Sequence, residues 1–134
     1  MKKNNMQLNE IKNILNCKNH TSEKLLVREI SHCYCADLMS DVLKSCKIGS
    51  LLITGLVNLQ LIQVAEIMDL KGIIFVSGKI PNKDLVAKAE EKNLPLLTTE
   101  KQMFDTCGIL YSFRLRGKEI YNGTGNTVQS VVPN

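Results

Sequence analysis

The chain has 134 residues, 44% hydrophobic and 22% charged, enough to enclose one hydrophobic core in one domain. Its net charge of +4 is spread over interleaved lysines and acids, and 4% aromatic residues with no Trp do not make the basic, stacking surface of a nucleic-acid binder. No apolar run approaches the ~20 residues of a membrane helix, and the opening MKKNNMQLNEIK lacks a secretory apolar stretch, so a cytoplasmic chain with neither nucleic-acid nor membrane partners is expected.

Residues 1–6 are polar and read as a flexible N-terminus. From 7 to 15, Leu8, Ile11, Ile14 and Leu15 fall at helical spacing and predict a short amphipathic helix. The aliphatic, β-branched run 24–30 reads as a strand, and 33–36 as a second, shorter one. The segment ADLMSDVLKSCKIGS then predicts a helix capped by Asp37 or Ser40, with Leu38, Val42, Leu43 and Cys46 on one face and Gly49 as its stop.

One theme then repeats three times. SLLIT (50–54), GIIFV (72–76) and LPLLT (94–98) recur about every 22 residues, the length of a strand plus a crossover helix. None alternates apolar with polar, so they read as parallel strands covered on both faces. The fold class is α/β: a single, three-layer-like, doubly wound domain with a mainly parallel sheet built from tandem strand–helix units.

The helix over 58–69, with Asn58 as its cap, carries Leu59, Leu61, Ile62, Val64, Ala65, Ile67 and Met68 around most of its circumference. Such a helix must be covered on more than one side, by the N-terminal segment or by a partner subunit. Leu59, Ile62 and Met68 are the candidate homodimer interface. The helix after Pro81 and Asn82 has a narrower stripe of Leu85, Val86 and Ala89. The third helix is expected to open at Thr99 with Gln102 completing a capping box, and to bury Met103, Phe104, Cys107, Leu110 and Tyr111. Residues 7–116 make up the predicted domain. Residues 117–134 read as a polar, flexible tail in which 127–132 could add a terminal strand.

Ligands of doubly wound sheets lie beyond the carboxyl ends of the strands, where helix N-termini favour anions. The candidate binding residues are therefore Thr54, Gly55, Asn58, Ser77, Gly78, Lys79 and Thr98. The alternative is that the glycines only permit turns while Asn58 and Thr99 only cap helices. Gly78-Lys79 is followed by Ile80 and Pro81 rather than Ser or Thr, and no GxGxxG lies in a strand-to-helix turn, so ATP-driven chemistry is not expected.

Five cysteines at irregular spacing suggest reduced thiols. His32, Cys33 and Cys35 with Cys17 and His20 could be drawn as a metal site, but Cys33 and Cys35 on one strand are expected to diverge, and structural thiols are the competing reading. Cys33 with His32 is a nucleophile candidate. Asp37 and Asp41, four apart, could work as an acid–base or metal pair, or cap a helix. No catalytic residue, metal or cofactor is assigned.

Taken in order, ADLMSDVL (36–43), GSLLITGL (49–56), GIIFVSGKIP (72–81) and LPLLTTEKQMFDTCGILY (94–111) resemble the DRTGG domain family. The Asp-Arg of that family would fall at Leu56 and Val57, and its Thr-Gly-Gly at Val76, Ser77 and Gly78, so only the last glycine is kept. The resemblance implies a fold similar to the N-terminal domain of HPr kinase/phosphorylase and a tendency to dimerise. It also implies a regulatory or assembly role like that of domains accompanying CBS pairs in regulated pyrophosphatases. The resulting expectation is a non-catalytic module sensing an anionic metabolite, an adenine nucleotide being one candidate, at the strand ends. The alternatives are an assembly domain docking on a metabolic enzyme or signalling protein, and an enzyme using Asp37, Asp41 or Cys33.

Overall fold

A computed structural model describes residues 5–118 together with the strand pair Ile120–Tyr121 and Thr127–Val128. The expected flexible ends lie mostly outside the described residues, as do 129–132 of the candidate terminal strand. Met6 is buried and opens β1 (Met6–Gln7), which pairs antiparallel with β3 (Glu29–Ile30). Helix α1 (Leu8–Ile14) buries Leu8 and Ile11, as its periodicity predicts, and β2 (Lys18–Asn19) follows.

Of the run 24–30, only Glu29–Ile30 is strand. Glu23–Val27 forms a 3-10 helix, in which Leu25 N donates to Ser22 O and Arg28 N to Leu25 O, both at 3.3 Å. Leu26 and Ile30 reach the core while Val27 is 65% exposed; it is the i→i+3 backbone bonding, not the burial spacing, that sets Glu23–Val27 apart from a strand.

β4 (Cys33–Cys35), α2 (Met39–Ser45), β5 (Leu51–Thr54), α3 (Gln60–Met68), β6 (Gly72–Phe75), α4 (Lys83–Glu91), β7 (Leu96–Thr98) and α5 (Met103–Ser112) complete the domain. β8 (Ile120–Tyr121) and β9 (Thr127–Val128) pair antiparallel. The five-stranded sheet has the order β2-β7-β6-β5-β4, all parallel except β2. Its strands are apolar throughout because both faces are covered. Leu52, Ile73, Phe75 and Leu96 point into one core, and Leu51, Ile53, Ile74 and Leu97 into the other.

Both faces carry helices, but not by double winding. The parallel strands stand in sequence order, and right-handed crossovers that all step the same way put α2, α3 and α4 on one face. The other face is covered by α1, the 3-10 segment and α5. Close approach there is helped by Gly72, where a Cβ would stand 3.3 Å from Leu51 and 3.4 Å from Leu8.

This winding also accounts for α3. Leu61, Ile62, Val64, Ala65 and Met68 are buried within the chain, with α2 and α4 alongside and the N-terminal segment on the opposite face. Of the candidate interface residues, only Leu59 is exposed, at 50%, joined on this helix by Ile67 at 64%.

Helix α4 follows Pro81 and Asn82 as expected, and Asn82 caps it, Leu85 N donating to Asn82 Oδ1 at 2.9 Å. Helix α5 departs from expectation. It begins at Met103 after Gln102, and its buried stripe is centred on Thr106 and Leu110. Phe104 points away from that stripe and is 87% exposed. Thr99 does not cap it: its hydroxyl donates to Leu15 O at 2.9 Å, tying the strand end to α1.

Candidate functional site

The carboxyl ends of β5, β6 and β7 stand side by side, with Thr54 in register with Phe75 and Phe75 with Thr98. Thr54, Gly55, Ser77, Gly78 and Thr98 therefore do converge on one edge of the sheet.

At β5, Asp37 decides the local geometry. It directly follows β4 and Ala36, so it is itself a strand-end residue. Gly55 N donates to its Oδ1 at 2.8 Å and the Thr54 hydroxyl at 3.2 Å, while Leu56 N donates to Thr54 Oγ1 at 3.1 Å. Asp37 thus does not cap α2, whose N-cap position is Leu38 without a side-chain bond. Asp41 sits in the first turn of α2, exposed. Asn58 caps α3 from one residue before Leu59, accepting from Gln60 N at 2.9 Å. The N–H groups of Val57 and Asn58 have no acceptor among the described residues.

At β6 the chain turns through two left-handed residues, Ser77 (φ 59) and Gly78 (φ 71). The β6–α4 loop leaves toward one face of the sheet and the β7–α5 loop toward the other, which is the arrangement that opens a crevice at a switch point. Here the loops are stitched together. Ser77 N donates to Lys101 O at 2.8 Å and Gly78 N to Thr99 O at 3.0 Å. The Glu100 carboxylate lies over Gly78, with Oε2 2.6 Å from where a Cβ would stand. Lys79 is exposed beside them.

At β7, Thr98 Oγ1 and His20 Nε2 lie 2.9 Å apart. Partial burial, and then the charge of Lys18, push the His20 pKa below its ordinary value. Sequence reasoning weighed Asp37 and His20 only for other roles and passed over Glu100. The signal for Asp37 was its place after a predicted strand.

The thiols differ from expectation. Cys35 and Cys107 are joined as a disulfide, while Cys17, Cys33 and Cys46 are free. Cys33 and Cys35 do not diverge: alternate strand positions share a face, and both border the core beneath α5. Burial, and then the neighbouring Cys46, push the Cys33 thiol up to about 12, which disfavours its thiolate at neutral pH. Burial likewise pushes Cys17 to about 12. Among the described residues, no group of three His, Cys, Asp or Glu is arranged to hold a metal, and no helix is long and apolar enough to cross a membrane. An open cavity of ≈ 440 Å³ lies at the opposite, amino end of the sheet between Arg28, Glu29, Asp69 and Lys71.

No protein-family model matches the chain. No curated protein matches it. Among solved structures it is similar to the CBS and DRTGG domains of the regulatory region of a Clostridium perfringens pyrophosphatase, in complex with an activator, diadenosine tetraphosphate. The TM-score is 0.63 at 15% sequence identity. The likeness is one of fold. It covers 80% of this chain and 46% of the other, so this chain spans about half the length of its neighbour.

Proposed function

We propose that the chain is a non-catalytic regulatory module of DRTGG type that senses an adenine nucleotide, or another anionic metabolite, at the carboxyl ends of β5, β6 and β7. The observation that carries this reading is the fold shared with a regulatory region that was crystallised with a dinucleotide activator. The strand-end chemistry refines it. The N–H groups of Gly55, Ser77 and Gly78 are already engaged, so a phosphate would use those of Val57 and Asn58 with the ammonium of Lys79. The carboxylates of Asp37 and Glu100 repel an anion but accept hydroxyl or amino groups, which suits a nucleoside better than inorganic phosphate.

A second reading, assembly through a homodimer or on a metabolic enzyme, is favoured by the apolar side chains left exposed along α2 and α3. Leu38 is 61% exposed, Leu43 44%, Leu59 50% and Ile67 64%.

Thermal denaturation of the purified chain with adenine nucleotides, diadenosine tetraphosphate among them, tests the first reading. A ligand at a hundred times its Kd adds about 2.7 kcal/mol, a rise of several degrees. The rise should saturate and should shrink in Lys79→Glu. No shift with any nucleotide, together with a dimer by light scattering that Ile67→Asp dissociates, would favour assembly instead.

A further inference from the structure

We propose that Cys35 and Cys107 form a reversible redox latch that fastens α5, and the segment following it, to the edge strand β4. The cysteines lie 72 residues apart in sequence, one ending the outer strand of the sheet and the other in the helix that covers it. Both are only half-buried, so a small thiol can reach them. With Leu110, Tyr111 and Arg116 they border a cavity of ≈ 150 Å³, which leaves room for the sulfurs to part.

The same two elements are tied a second time. Cys33 N donates to Arg116 O at 2.9 Å, and His32 pairs with Arg116 as a parallel bridge that covers part of the outer edge of β4. Arg116 is held by α5 itself: its guanidinium lies 3.8 Å from the centre of the Tyr111 ring, and its Nη1 donates to Tyr111 O at 2.9 Å. The disulfide and the edge cover therefore act on one unit. With the disulfide open, the cover is held by apolar packing of Leu110 and Leu115 and by a backbone bond at the margin of the sheet, an arrangement that opens locally at low cost.

The geometry pairs these two thiols. Cys17 and Cys46 are buried, and burial raises the thiol pKa of Cys17 and of Cys33, which borders the same cavity, so that their thiolates are disfavoured. On closing, the two thiols lose two protons and two electrons to a low-molecular-weight disulfide, which leaves as two thiols after a mixed-disulfide intermediate. On opening, a dithiol supplies the same protons and electrons and cyclises to its own disulfide.

The full chain, equilibrated with glutathione disulfide and then with dithiothreitol, tests this by alkylation, peptide mapping and hydrogen exchange. Oxidised protein should leave Cys35 and Cys107 unalkylated and yield one crosslinked peptide pair containing both. Reduction should raise exchange at the Cys33 amide and across 103–117 by about tenfold or more, with little change in β5 and β6. Cys107→Ser should match reduced wild type in both buffers. If that variant does not fold, titration of the wild-type chain with dithiothreitol gives the same readout. Alkylation of all five cysteines after oxidation, a crosslink through Cys17, Cys33 or Cys46, or equal exchange in both states would overturn the latch.

Discussion

Asp37→Ala is the substitution whose effect follows most directly from the site. It removes the acceptor of two bonds at the end of β5, from Gly55 N at 2.8 Å and from the Thr54 hydroxyl at 3.2 Å. Hydrogen bonds to a charged group contribute about 1.5–3 kcal/mol each when no other partner is at hand. Gly55 is partly exposed, and water takes over there with little net loss. Thr54 is fully buried, and its hydroxyl proton has no second acceptor among the described residues. The expected loss is therefore that of about one good bond, 1–2 kcal/mol, or roughly 4–8 °C in Tm. Asp37→Asn keeps an acceptor oxygen without its charge and should lose about half as much. Urea denaturation of the three proteins, followed by circular dichroism, measures this. If Asp37→Ala is as stable as wild type, the carboxylate does not organise the β5 turn. If Asp37→Asn is no better than Asp37→Ala, the acceptor role assigned to Oδ1 is wrong.

Gly78→Ala must place an L-residue at φ 71 with its Cβ against the Glu100 carboxylate, and should cost about 1–2 kcal/mol, whereas Gly55→Ala, without a positive φ and with its nearest neighbour at 3.6 Å, should cost well under 1 kcal/mol. Equal losses by denaturation would contradict that assignment. Because the His20 pKa is lowered on folding from its ordinary 6.5, the unfolded chain takes up the proton first. Stability should therefore be full above pH 6.5 and fall as the pH drops below it, and His20→Gln should flatten that decline in a pH series of melts. Ile62→Asp puts a charge into the core and should prevent folding, while Ile67→Asp should fold normally. Natively folded Ile62→Asp protein by circular dichroism would mean that α3 is not covered as described.

The repeat of apolar strands was legible because burial on both faces leaves a direct mark on composition: Leu51 to Ile53 and Ile73 to Phe75 have nowhere polar to point. Helix α4 was legible for the same kind of local reason, through Asn82 and its stripe. The winding was not. Strand order depends on which neighbours pair, and nothing in a strand of four apolar residues records its partner. The 3-10 segment was misread because Leu25, Leu26 and Val27 look like strand residues one at a time, and burial of Leu26 and Ile30, four apart, suits a strand as well as a helical turn. Asp37 looked like a helix cap for as long as the next helix was the only partner in view. Its true partners lie seventeen and eighteen residues on, across a sheet edge that only the folded chain brings together.

The winding bears on the site in a way that neither the helices nor the strand ends reveal separately. With α2, α3 and α4 on one face and α5 on the other, the loops after β6 and β7 part company at the one pair of strands where a crevice can open. That place is closed by two backbone bonds, from Ser77 N to Lys101 O and from Gly78 N to Thr99 O. A ligand entering between the strands must exchange those bonds for its own, and the β7–α5 loop must move with them. A ligand bound at Val57, Asn58 and Lys79 need not disturb them. The first kind of binding would shift α5, the helix that carries Cys107 and holds Arg116 on the edge of β4. The second would leave it where it is. Ligand occupancy and the redox state of the Cys35–Cys107 pair are thus linked only if the crevice itself is used, and binding affinities measured before and after reduction distinguish the two cases.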